Sequence, residues 1–503
     1  MAIFGRAPAI VVPDRLRPET PSGLQIGDVL GDRALIWSRT NRAARLIVER
    51  AFREDFRDAV RIRGPVARAH SDYTARFDLT GLPSDRQVFV RVTFEDIESR
   101  RASSAPLTGH FRTAPAALRD IRFVWSGDVA GQGFGINPEW GGMRGYEAMR
   151  RVQPDFFIHS GDTIYADAPI PATIRLDDGN VWKNVVTDDV SKVAESLQEF
   201  HGRYRYNLMD DNVRRFAAEV PQLWQWDDHE VLNNWSDAKD LSQDSRYTEK
   251  NIRVLAGRAR RAFLDYAPMR APGPDERDRI YRRISYGPLL DVFMVDERSY
   301  RGPNSYNRQE RPGAGTAFLG AAQLAWLKKS LAQSTAVWKV VASDMPIGVL
   351  VPDGHDGQRR DMFEAVANGD GPVLGREFEL ADLFRFLRQR RVDNIVWLTA
   401  DVHYTAAHHY HPDRATFRDF EPFWEFVSGP LNAGSFGPNP LDDTFGPLAV
   451  FQKAPPTPNA PPSAGYQFFG QVDIEAATGA LTVTLKDVSG ASLFVQRLEP
   501  VRR

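Results

Sequence analysis

Four stretches of this 503-residue chain place acids and imidazoles immediately after apolar runs. They are Phe123-Val124-Trp125-Ser126-Gly127-Asp128, then Phe156-Phe157-Ile158-His159-Ser160-Gly161-Asp162-Thr163-Ile164-Tyr165, then Leu223-Trp224-Gln225-Trp226-Asp227-Asp228-His229-Glu230, and last Ile395-Val396-Trp397-Leu398-Thr399-Ala400-Asp401-Val402-His403. A buried strand of an α/β sheet ends this way when it delivers polar side chains at its carboxyl edge, where such sheets do chemistry. Asp162 and Tyr165 stand three residues apart on the turn leaving their strand, so a carboxylate and a phenolate can reach one cation together. Oxygen donors of this hardness suit Fe(III), Ca or Mn better than a soft metal. Unpaired carboxylates are costly to bury, and a shared metal cluster removes that cost.

The elements that must position these groups are legible from periodicity. From residue 121 onward strands alternate with helices, the pattern of helices packed on a sheet. The pattern predicts strands at Ile121 to Ser126, Phe156 to His159, Leu223 to Trp226, Leu289 to Asp296, Trp338 to Ser343 and Ile395 to Thr399. Helical spacing covers Met143 to Val152, Ala322 to Gln333, Ala381 to Arg390 and the charged region from Val190 to Val220. The insert Trp235 to Arg260 is polar and caps the site or packs beside it. Phe451 to Pro462, rich in Pro and Ala, reads as an irregular loop. Tyr466 to Ile474, Ala480 to Asp487 and Leu493 to Leu498 read as a closing antiparallel meander, with Thr478-Gly479 and Ser489-Gly490 as its turns. Ahead of all this, Ala34 to Ser38, Ala44 to Glu49, Thr74 to Leu79 and Val88 to Phe94 are short strands separated by Gly, Pro and Asp. They read as a β-sandwich of about 90 residues, followed by the linker Thr113 to Ala117.

Bulk properties narrow the class. Lysine and arginine total 64 against 66 acids, a formal charge of −2, so nothing favours a bulk nucleic acid or an anionic membrane as partner. There is no cysteine, which excludes disulfides, thiolate nucleophiles and thiolate metal ligands. No apolar run approaches the roughly 18 residues of a transmembrane helix. The stretch Met1 to Asp14 lacks the basic region and long apolar core of a signal peptide.

The order Gly127-Asp128, Gly161-Asp162-x-x-Tyr165, Trp226-Asp227-Asp228-His229-Glu230 and Asp401-x-His403 resembles the PhoD (alkaline phosphatase D) family of metallophosphatases. Val295-Asp296-Glu297-Arg298-Ser299-Tyr300-Arg301 and Phe426-Val427-Ser428-Gly429-Pro430 extend the likeness over nearly the whole chain. More distantly, Asp162-x-x-Tyr165 resembles the purple acid phosphatases and their calcineurin-like relatives. The resemblance implies an α/β fold, with metallophosphatase-like sheets flanked by helices and an N-terminal fibronectin type III-like β-sandwich. The expected division is an N-terminal extension at 1–20, the sandwich at 21–113 and a catalytic domain at 120–503 that includes the meander. It also implies that Asp162 bridges two cations, that Tyr165 is an iron-type phenolate ligand, that Asp128 and His403 complete the first site, and that Asp228 and Asp401 hold the second. Two or more metal ions are expected, Fe(III) and Ca first, with Mn or Zn as alternatives. Relatives with tightly held Fe(III) often carry a Cys near the end of the first strand. Asp128 stands there in this chain, keeping one negative charge while hardening the donor set.

The implied activity is hydrolysis of a small-molecule phosphate ester by a metal-bound hydroxide. A phospholipase D-like phosphodiesterase and a non-catalytic ligand-binding relative are the alternatives. His229 can protonate the leaving group or steady the phosphoryl oxygens. Arg298 and Arg301 can clamp phosphate oxygens bidentately, with Arg203 and Arg205 a weaker second pair. The resemblance places the protein in the periplasm or outside the cell, while the absence of a signal peptide in this chain makes a cytoplasmic location the alternative. The same residues also have structural uses. Asp128 can cap a turn, Tyr165 can be a packed aromatic, and His229 can be a hydrogen-bonded structural imidazole. Arg298 and Arg301 can pair with Asp296 or Glu297. Asp227 reads as structural, and Glu230 and Asn234 as groups that orient metal ligands, Asn234 also being able to touch a metal. His159 reads as a core histidine, and His408, His409 and His411 as a solvated or outer cluster.

Overall fold

The computed structural model describes residues 14–99, 102–270, 278–369 and 371–502; the first part of the expected N-terminal extension, residues 1–13, lies outside them. Seven strands come first: β1 Leu24–Gly27, β2 Arg33–Arg39, β3 Ala44–Ala51, β4 Val60–Ala67, β5 Thr74–Thr80, β6 Gln87–Asp96 and β7 Leu107–Arg112. In β6, Val88, Val90, Val92 and Phe94 are buried while the residues between them are half-exposed, the period of a strand with one face in a core. A four-stranded sheet, β4-β3-β6-β7, packs through Leu46, Val48, Val90 and Phe94 against Leu24, Ile26 and Ile36 of β1 and β2. This is the sandwich that the strand pattern predicts.

The next elements are β8 Ile121–Ser126, α1 Arg144–Arg151, β9 Phe156–Ser160, a small hairpin of β10 Thr173–Arg175 and β11 Val181–Lys183, α2 Leu197–Asn207, α3 Asp211–Glu219, β12 Gln222–Gln225 and α4 Ile252–Tyr266. The region from Val190 to Val220 thus forms two helices. Ser196 and Glu199 close a capping box on α2, and Asp210 caps α3. The insert from Trp235 differs from the expected polar segment. Its second half is α4, with Ile252, Leu255, Ala259, Ala262, Phe263 and Tyr266 buried at helical spacing.

The remainder comprises β13 Arg282–Ser285, β14 Leu290–Met294, α5 Ala321–Ala332, β15 Trp338–Ala342, β16 Pro352–His355, β17 Asp361–Phe363, α6 Glu377–Arg390, β18 Ile395–Thr399, β19 Thr405–Tyr410, β20 Phe423–Val427, β21 Pro447–Lys453, β22 Phe468–Ile474, β23 Leu481–Asp487 and β24 Ser492–Leu498. β21 corrects the expected loop at Phe451: Leu448 and Val450 point outward from an edge strand, so alternation survives beneath a Pro- and Ala-rich composition.

Two large sheets face each other. The first runs β24-β23-β22-β8-β9-β12-β1-β2-β5 and the second β13-β14-β15-β18-β20-β19-β21. Between them Phe123, Trp125, Phe156, Ile158 and Leu223 meet Leu290, Val292, Met294, Val340, Val396 and Leu398. On the outer face of the first sheet, Val124, Phe157 and Trp224 pack against Met149, Phe216 and Phe263 of α1, α3 and α4. On that of the second, Phe293, Val341 and Trp397 pack against Leu327, Phe384 and Leu387 of α5 and α6. Central strands buried on both faces explain the unbroken apolar runs in the sequence.

The first sheet does not stop at the sandwich. β1 pairs in parallel with β12 through Gly27 and Gln222, so β1, β2 and β5 are its last three strands. Arg282 reaches Asp28 at 2.9 Å, Arg205 reaches Asp72 at 2.6 Å, and the Trp37 indole donates to the Asp265 carbonyl at 2.8 Å, fastening this seam on both sides. The meander is added at the opposite edge, where β22 pairs antiparallel with β8.

Candidate metal centre

The carboxyl ends of β8, β9, β12 and β18 converge, which brings together three overlapping groups of donor atoms. Asp128, Asp162 and His403 form one; Asp162, Asp228 and His229 the next; Asp227, Asp228 and Asp401 the third, with the donor atoms of each group within 4.8 Å of one another. Asp162 is shared by the first two groups and Asp228 by the last two, an arrangement suited to bridging. The backbone turns sharply to achieve this. Asp128, Asp162, Asp401 and His403 have φ of 64°, 50°, 62° and 60°, a left-handed conformation uncommon outside glycine and concentrated at functional sites. Two glycines clear space for the turns. A Cβ on Gly161, itself at φ 86°, would lie 2.4 Å from that of Asp227, and one on Gly131 would strike the Tyr165 ring at 2.5 Å.

The donor chemistry fits cations. Asp128, Asp162 and Asp228 are buried, yet among the described residues neither oxygen of Asp128 and only one oxygen of Asp228 has a hydrogen-bond partner. Burial pushes the carboxyls of Asp128, Asp162 and Asp401 well above the usual range, and their acidic neighbours push the same way. Asp228 is held below the usual range: burial works against its charge, but His229 and Arg298 outweigh it. His403 Nδ1 is bonded to the Gly434 carbonyl, which leaves Nε2 lone-pair-first toward Tyr165 Oη at 2.8 Å and Asp128 at 3.6 Å. Burial lowers this imidazole to about 4, the neutral form a metal requires. Tyr165 is buried and its ring lies over His229, centroids 4.1 Å apart.

Surrounding residues hold these groups in place. Glu230 Oε1 accepts from the Thr163 amide and hydroxyl, both at 2.6 Å, and Oε2 accepts from the Asp227 amide at 2.8 Å, tying the tips of β9 and β12 together. His229 Nδ1 bonds Asp167 at 2.7 Å, leaving Nε2 4.0 Å from Asp228. Burial lowers the His229 pKa, but Asp167 and Asp228 more than offset it and raise the ring to about 10.

The structure departs from the sequence expectations at several residues. Arg298 and Arg301 do not present an open clamp: both guanidinium groups are fully buried. Arg298, leaving β14, is surrounded by four acids, with close ion pairs to Asp227 and Glu364, Asp344 at 3.3 Å and Asp401 at 3.6 Å. Arg301 uses Nη2 for both of its bonds, to Asn304 and to the Glu364 carbonyl. Asn234 gives its amide to Asp353 at 2.9 Å and only its backbone N–H to Asp228. Arg203 is bound to backbone carbonyls and Arg205 to Asp72 and Asp189. His408 is not solvated; it is buried against Glu425 at 3.0 Å. His159, by contrast, is buried beside Tyr146 and Trp224, as expected of a core histidine. Asp227, expected to be structural, joins the third donor group. Asp167, Asp344 and Glu364 carried no sequence signal, because their partners are contributed by distant elements; the doubled Asp227-Asp228 was the one available cue.

Comparison with known proteins bears on the family and the fold. The profile of the PhoD-like phosphatase family matches residues 123–485, and that of the PhoD-like phosphatase N-terminal domain matches residues 5–115. Alkaline phosphatase D of Bacillus subtilis (strain 168) is 25% identical over 445 residues, covering 84% of this chain and 71% of that protein. A solved structure of PhoD superposes with a TM-score of 0.72 at 19% identity, covering 98% of this chain and 94% of the other. A purple acid phosphatase, PPD1 from yellow lupin (Lupinus luteus) seeds, shares the fold at a TM-score of 0.55 and 12% identity, covering 95% of this chain and 74% of its own.

Proposed function

Because this chain belongs to the PhoD-like phosphatase family, we propose that it hydrolyses small-molecule phosphate esters at the strand-tip centre and that the reaction depends on two or more metal ions. The observation that carries this reading is the overlap of three donor groups through Asp162 and Asp228. Asp128, Asp162, Tyr165 and His403 would hold one cation, and Asp228 and Asp401, with Asp227, a second; Asp162, common to two donor groups, would be shared between them. Bound there, the cations supply Lewis acidity toward the phosphoryl oxygens and lower the pKa of an attacking water. The protein's own part is to hold carboxylates in a dry, fixed array and to carry a proton. His229, kept in one orientation by Asp167, is placed to give its Nε2 proton to the departing oxygen. Asp401 and His229, the least buried members of the cluster at 12% and 13% side-chain exposure, mark the side from which substrate enters.

The test is chelation followed by metal return. Exhaustive chelation should abolish phosphate release, and adding back Mn, Ca or Fe singly and in pairs should restore it. Asp162→Asn should be inactive with an unchanged circular dichroism spectrum. Full activity of either the stripped protein or the variant would sink the proposal. Elemental analysis of the purified chain identifies the metals, and rates on a chromogenic monoester and the matching bis-ester separate a phosphatase from a phosphodiesterase.

A further inference from the structure

The hairpin β16–β17 belongs to neither large sheet, and its turn, with His355 at the end of β16 at 66% side-chain exposure, is open to solvent. Both of its feet nevertheless enter the network around the acids. At the first foot, Asp353 Oδ1 accepts from the Asn234 side-chain amide at 2.9 Å and Oδ2 accepts from that of Asn304 at 2.7 Å. Asn234 then directs its backbone N–H at Asp228 Oδ2, from a left-handed backbone at φ 56°. That bond fixes the rotation of the Asp228 carboxylate and leaves Oδ1 without a hydrogen-bond partner among the described residues. At the second foot, Glu364, the residue after Phe363, pairs with Arg298, whose guanidinium also faces Asp227 and Asp401.

We propose that Asp353 is a positioning residue for metal binding, acting through Asn234 on Asp228, so that the hairpin is a working part of the metal centre. Asp228 belongs to two of the three donor groups, and an error in its rotation is felt at both. A side chain that hooks Asn234 in place therefore sets cation affinity from outside the ligand shell. The proposal deepens the metallophosphoesterase reading, and its measurement needs no substrate.

Mn(II) is titrated into the metal-stripped full-length chain and free ion is read by electron paramagnetic resonance. Asp353→Ala should weaken binding about 10- to 100-fold. Asn234→Gly, chosen because glycine tolerates the positive φ, should weaken it comparably. The double variant should be no weaker than the worse single, because both act along one path. Asp353→Asn, which retains one acceptor, should fall between wild type and alanine, and His355→Ala should titrate as wild type. At saturating Mn(II), Asp353→Ala should keep the wild-type KM. Wild-type Mn(II) affinity in Asp353→Ala would overturn the proposal, as would losses that simply multiply in the double variant. A large drop in the metal-free melting temperature of Asp353→Ala would also overturn it, since the residue would then merely brace the fold. If the wild-type chain hydrolyses no phosphate ester, the functional reading fails while the titration still decides this one.

Discussion

At the scale of single residues, Arg298 shows how far the surroundings of a side chain can differ from what its spacing suggests. Its spacing from Arg301 suggested a phosphate clamp, but the chain folds Asp227, Asp344, Glu364 and Asp401 around it. Residues separated so widely in sequence give no local hint that they will meet. A guanidinium in this position balances charge among the acids. Removing one partner of a buried ionic cluster typically costs about 3–5 kcal/mol, so Arg298→Met should destabilise the metal-free protein by about that much in urea denaturation, an effect far above that of losing an exposed clamp. His159 makes a different prediction. Burial depresses its pKa to about 3, against about 6.5 in the unfolded chain. Above pH 6.5 the ring is neutral in both states and contributes nothing. As pH falls below that value only the unfolded chain takes up the proton, and stability declines by about 1.4 kcal/mol per pH unit until the folded-state value is reached. His159→Phe should remove about 2 kcal/mol of the loss between pH 6.5 and pH 5, measured as urea midpoints in chelator.

At the scale of elements, the six strands predicted between Ile121 and Thr399 all exist, with ends shifted by at most two residues. They were readable because strands buried on both faces must be apolar throughout, and the polar residues that end them make up the candidate site. α4 and β21 were hidden for the opposite reason. α4 follows a polar stretch that masks its apolar stripe, and β21 is an edge strand with one face in solvent. The tight turns after β8 and β9 were announced only by Gly127 and Gly161, whose partners became visible in three dimensions, and the turn at Asp401 and His403 after β18 carried no glycine at all. Gly161 is the sharpest case. Its φ of 86° and the 2.4 Å approach to Asp227 Cβ leave no room for a methyl group. Gly161→Ala should cost more than about 1 kcal/mol through the backbone alone, and it should separate the tips of β9 and β12. Lower bound metal, by elemental analysis, together with a lower melting temperature is the expected result; a metal-replete variant would contradict it.

At the scale of the whole molecule, the strand pattern of the sandwich was legible but its incorporation into the larger sheet was not, since pairing between β1 and β12 joins residues almost two hundred positions apart and rests on one short parallel register. Gly27 occupies that register. A Cβ there would lie 2.0 Å from the Pro268 carbonyl oxygen and 2.9 Å from that of Gln222. Overpacking of this kind costs about 1–3 kcal/mol. Gly27→Ala should therefore shift a single melting transition downward, and a separate early transition confined to the N-terminal strands would contradict the shared-sheet architecture. The nine-stranded sheet also has a mechanical consequence. With β-ladders continuous from one edge to the other, the N-terminal strands act as a bracket and not as a pendulum. A handle attached to the outer surface of β4 or β7 would aim the acid-lined mouth in one fixed direction.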